Sequence, residues 1–153
     1  ASIFTRIING EIPSYKVAED ENFLAFLDIN PLEKGHTLVV PKKEIDYIFR
    51  PGRRNPARMI VFAKGGEKNP GENRLQRVAV VVFGLEVPHA HIHLIPMENE
   101  YDVDFRKVKP KFTPEEFEEN SQNDSGIGHT AEQQTINYQP GSVLITLSAI
   151  LSY

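Results

Sequence analysis

The chain has 153 residues, 40% of them hydrophobic, which is the size of one ordinary globular domain. A formal net charge of −4 excludes the basic surplus that a general nucleic-acid binder carries. The absence of cysteine excludes disulfides, thiolate zinc sites and cysteine nucleophiles.

The opening residues, Ala1 to Arg6, lack the basic stretch and apolar core of a secretory leader. No apolar run reaches bilayer length, so the expectation is a soluble, cytoplasmic protein that touches no membrane. Ile3, Phe4, Ile7 and Ile8 recur at helical spacing, and Asn9-Gly10 closes a short first helix. Val17 to Glu19 reads as a short strand. Phe23 to Asp28 is an apolar run ending in turn residues from Asn30-Pro31 to Lys34-Gly35, and His36 to Val40 is a second run that stops at Pro41. Two β-prone runs joined by such a loop predict an antiparallel pair.

From Arg50 to Arg77 the texture changes. Asn55-Pro56 and Gly65-Gly66 bracket a short buried helix containing Met59 to Ala63. Eight cations against two carboxylates leave this segment six charges positive, the pattern of a solvated loop. Arg77 to Gly84 predicts an apolar strand over Val78 to Phe83, and a histidine-bearing strand follows the break at Gly84 to Pro88. Thr113-Pro114-Glu115-Glu116 has the order of a helix start, and that helix fades at Asn120. Residues 121–141 are polar, predicting loop or disorder, and Ser142 to Tyr153 is an apolar, β-prone tail.

Three of the five histidines fall in His89-Ala90-His91-Ile92-His93. Alternation along a strand places all three on one face, roughly 7 Å apart, and sends Ala90, Ile92 and Leu94 into a core. Two chemistries fit. One is a metal site, with Glu86, Glu98 or His36 as further ligands. The other is a nucleophilic imidazole, flanked by imidazoles that orient it and hold an anionic phosphate. Spacing alone leaves both open.

The run His89-Ala90-His91-Ile92-His93-Leu94-Ile95 resembles the signature of the histidine-triad (HIT) family, in its Hint-type branch. Ile3-Phe4-Thr5-Arg6-Ile7-Ile8 with Glu11-Ile12-Pro13 is similar to that family's opening. Phe26-Leu27-Asp28-Ile29-Asn30-Pro31 and Gly35-His36-Thr37-Leu38-Val39-Val40-Pro41 are similar to its nucleoside-binding hairpin. The resemblance implies an α+β, HIT-like fold, an antiparallel sheet of about five strands with flanking helices. It would cover residues 1–119, leaving 120–153 as a polar linker with an apolar tail of unassigned role. It implies a homodimer that hydrolyses purine nucleoside phosphoramidates or related monophosphate derivatives, without a metal or other cofactor. His91 would attack phosphorus and form a covalent nucleotidyl-imidazole. His89 would orient His91 through its backbone carbonyl, His93 would contact the phosphate, and His36 would stand beside them. Asp28 would accept the ribose hydroxyls, and Phe4, Ile7, Ile12, Phe26 and Ile29 would hold the base.

The chain departs from the family pattern at three places. Glu86 stands where a serine is expected to donate to the phosphate or leaving group. Ionised, it repels a phosphodiester; protonated, it serves as a general acid for the leaving amine. An apolar residue near Val78 fills an asparagine position, and the segment from Phe49 to Gln76 lacks the long helix that builds the family's dimer. Two other readings stand beside the enzyme: a metal-dependent hydrolase or metal-binding β-protein, and a non-catalytic nucleotide sensor.

Overall fold

The structure is a computed structural model that describes residues 1–49, 55–64 and 77–123. The helical spacing near the start gives α1 (Ile3–Ile8). Ser2 caps it, its Oγ accepting the Thr5 amide, and Gly10, at φ 77°, lets the chain leave it in the left-handed region. Strands β1 (Lys16–Glu19), β2 (Phe23–Leu27) and β3 (Thr37–Pro41) follow. Then come helix α2 (Asn55–Ala63), strands β4 (Arg77–Val81) and β5 (Ile92–Met97), a 3-10 turn over Glu100–Val103, and helix α3 (Pro114–Asn123).

The strands form one antiparallel sheet in the order β1-β2-β3-β5-β4, the α+β architecture with flanking helices expected from the sequence. Every residue of β2 and β3 is buried, because both faces of the sheet are covered. Alternation divides them. Phe23, Ala25, Leu27 and Val39 face one layer with Met59 and Phe62 of α2 and Phe117 of α3. Leu24, Phe26, Leu38 and Val40 face the other with Phe4 of α1. Burying each large side chain here contributes roughly 1.5–3 kcal/mol.

Three boundaries differ from the sequence expectation. The β4 ladder stops at Val81 rather than Phe83, because its pairing with β5 ends at His93 and Gly84, at φ 69°, turns the chain away. The β5 ladder begins at Ile92, so His89 and His91 precede it, although Ala90, Ile92 and Leu94 still point together into the α2 layer. Helix α3 runs to Asn123, beyond Asn120, with Asn120 and Ser121 buried. Most of the cationic segment, and the tail from residue 124 with His129, lie outside the described residues.

Candidate active site

The approach to β5, the start of β3 and helix α1 converge on one layer of histidines. His36, His89, His91 and His93 are all buried there. Each ring has a backbone or side-chain partner that fixes which nitrogen holds the proton. The Leu32 amide donates to His36 Nδ1 at 3.0 Å, so neutral His36 carries its proton on Nε2. That proton is donated to His93 Nδ1, 2.9 Å away, which leaves His93 protonated on Nε2. The carbonyl of His89 accepts from His91 Nδ1 at 2.7 Å, leaving Nε2 of His91 with its lone pair. His89 donates from Nε2 to the Pro41 carbonyl at 2.8 Å, and its Nδ1 accepts from the Ser2 hydroxyl at 2.6 Å.

Burial lowers the pKa of His36, His89 and His93. It pushes the pKa of His93 down to about 3, helped by His36 and His91 nearby. Burial also lowers His36 to about 4 against the opposing pull of Asp28, with Lys109 and Lys107 lowering it further. His89 is lowered by burial too, opposed by its bond to Pro41. Phe105 closes over the pair, its ring 5.3 Å from His93 and 6.3 Å from His36.

A cleft of about 500 Å³ opens beside His91 and His93, within the usual size range of small-molecule sites. Phe4, Ile7, Ile12, Phe26 and Leu38 make its apolar wall, and Asp28, Ile29 and Glu86 also line it. Phe4 packs edge-on against both Phe26, at 5.9 Å, and His91, at 5.0 Å. Asp28 sits where β2 ends. Its Oδ1 accepts the Asn30 amide at 2.9 Å, and its Oδ2 stands 3.7 Å from His36 Nε2. Ile29 is 74% exposed, so it forms a rim rather than a wall. Among the described residues of the lining, Asp28 and Glu86 carry formal charge and none is a lysine or arginine.

The residues singled out from sequence thus meet at one cleft, except His89 and His36, whose rings pack against the partners of that layer, and Glu98, which is not in the lining. Sequence reasoning passed over Ser2, Phe105, Phe83, the Leu32 amide and the Pro41 carbonyl. Ser2 was visible as a helix cap, but its partner His89 lies 87 positions away. Phe105 sits in a charged stretch with no periodic pattern to mark it.

An antiparallel α+β sheet that lays a layer of four buried histidines against an apolar cleft defines a narrow class, and the comparisons with known proteins agree. The family model of the HIT domain matches residues 9–100. An uncharacterized HIT-like protein of Methanocaldococcus jannaschii is 44% identical over 116 residues, spanning 70% of this chain and 84% of its own length. An adenosine 5′-monophosphoramidase of Schizosaccharomyces pombe is 38% identical over 101 residues, spanning 64% of this chain and 75% of that protein. A hypothetical histidine triad nucleotide-binding protein of Sulfolobus tokodaii superposes with a TM-score of 0.67 at 28% identity, over 90% of this chain and 99% of that one. The chain belongs to the histidine-triad (HIT) family.

Proposed function

We propose that the protein hydrolyses a purine nucleoside phosphoramidate, or a related nucleoside monophosphate derivative, through a nucleotidyl-His91 intermediate. The observation that carries this reading is the 2.7 Å bond from His91 Nδ1 to the His89 carbonyl, which commits the lone pair to Nε2 beside the cleft. The similarity to an adenosine 5′-monophosphoramidase supports the same substrate class.

In this reading the base lies against Phe4, Ile7, Ile12 and Phe26, with Ile29 at the rim, and Asp28 accepts the ribose hydroxyls. His91 Nε2 attacks phosphorus, a P–N bond to imidazole forms, and the bond to the leaving amine breaks. The amine leaves with a proton, which in this reading the exposed Glu86 carboxyl of the cleft lining relays from solvent. The His93 Nε2–H donates to a non-bridging phosphate oxygen and steadies its charge. Water then attacks the same phosphorus, releasing the nucleoside monophosphate and returning the lone pair to His91. Two subunits are proposed to pair along β4, the edge strand of the sheet among the described residues.

Asp28, His36 and His93 present ligand atoms within 4.8 Å of one another, which raises the metal reading. Their hydrogen bonds argue against it. A metal on His36 Nε2 displaces the proton there, and the Leu32 amide already occupies Nδ1, so the ring would have to bind as imidazolate.

The test is incubation with a phosphorus-labelled adenosine phosphoramidate followed by denaturing quench. A labelled, acid-labile adduct that disappears in His91→Ala is expected, together with loss of turnover. Full activity in His91→Ala would sink the mechanism. Calorimetric binding of adenosine monophosphate with no turnover would instead establish the sensor.

A further inference from the structure

The His89 ring is the most enclosed of the cluster, with no exposed surface. Its backbone carbonyl, not its ring, meets His91. The ring is gripped at both ends, by the Pro41 carbonyl at 2.8 Å and by the Ser2 hydroxyl at 2.6 Å. Ser2 is itself held by three further contacts. Its Oγ accepts the Thr5 amide at 3.1 Å, its own amide donates to Glu44 Oε2 at 3.1 Å, and Thr5 Oγ1 lies 3.2 Å away while donating to the same Glu44 oxygen. Glu44 follows β3, and its carboxyl is held below the ordinary range by the Thr5 and Ser2 bonds. The start of α1 is thereby tied to the strand end that supplies Pro41.

We propose that Ser2 is a positioning residue for His91, its hydroxyl locking the His89 ring against Pro41 so that the His89 carbonyl stays aimed at His91 Nδ1. This rests on the reading of His91 as nucleophile. Without the Ser2 hydroxyl, the hydroxyl left beside His89 Nδ1 is that of Thr5, 3.5 Å away and already donating to Glu44, so the ring loses its short anchor and turns. The residue's backbone turns with it. Phe4, two residues beyond Ser2, packs on His89 and His91 at 5.8 and 5.0 Å.

Four forms of the full chain separate this role from helix capping: wild type, Ser2→Thr, Ser2→Gly and Ser2→Ala. Glycine caps a helix nearly as well as serine but has no hydroxyl, whereas threonine retains one. Turnover of an adenosine phosphoramidate is expected to fall roughly ten- to a hundredfold in kcat for both Gly and Ala, with KM unchanged, and to recover in Thr. The second readout is proton–nitrogen NMR of the imidazoles. A protected His91 Nδ1 proton is expected in wild type and Ser2→Thr, and its exchange with water in the other two. A kcat loss in Ala but not Gly would assign Ser2 to capping alone, and a protected His91 proton in Ser2→Gly would overturn the proposal outright. If wild type turns over no nucleotide, the nucleophile reading fails. The NMR comparison then still decides whether Ser2 holds the ring.

Discussion

At the scale of single residues the site is a set of protonation choices, each made by a neighbour. His36 and His93 are kept neutral by burial, with pKa values near 4 and 3 against 6.5 for an exposed ring. Between those limits the unfolded chain holds protons that the folded chain refuses. Stability is therefore full above about pH 6.5 and falls as the pH drops toward 4, by about 1.4 kcal/mol per pH unit for each ring. Urea unfolding at about pH 7 and pH 5 should show a combined slope of roughly 2–3 kcal/mol per pH unit near pH 5. A slope below that of one proton would mean that the pair is charged in the fold. The triad histidines were legible in sequence because their spacing is unusual, and Asp28 and His36 through the family resemblance. The groups that set their tautomers were not, since two are backbone atoms of Leu32 and Pro41 and the third is a serine 87 positions from its partner.

At the scale of elements, the apolar runs of β2 and β3 announced strands buried on both faces, and capping residues announced α1 and α3. The strand ends were harder to read. Where β4 and β5 stop depends on a ladder between segments far apart in sequence, and the length of α3 depends on the layer that buries Asn120 and Ser121. The β2–β3 connection shows one residue serving two purposes. Asp28 holds the turn through the Asn30 amide, a bond that asparagine makes equally well. The substitution Asp28→Asn should thus leave the melting temperature nearly unchanged, within about 0.5 kcal/mol of stability. It should raise KM for a ribonucleotide substrate roughly tenfold, by weakening a hydrogen bond to a charged acceptor. Steady-state kinetics beside a 2′,3′-dideoxy substrate checks this. An unchanged KM would reduce Asp28 to a turn residue.

At the scale of the whole molecule, β4 is the edge strand of the sheet among the described residues, with Val80 62% exposed and the exposed Val82, Phe83 and Leu85 following it in sequence. An apolar edge strand of this kind can pair with a second copy. Light scattering is expected to return about twice the 17.3 kDa of one chain, and Val80→Lys should shift it toward the monomer. A wild type that stays monomeric at high concentration would remove the dimer from the proposal. One contact has a consequence for how this protein can diverge. Phe4 touches the base-side Phe26 and the ring of His91 at once, so any change that recuts the slot for another base also disturbs the reacting imidazole. Glu86, an exposed residue of the same lining, carries no such double duty among the described contacts. Descendants of this sequence are therefore freer to trade leaving groups than nucleobases.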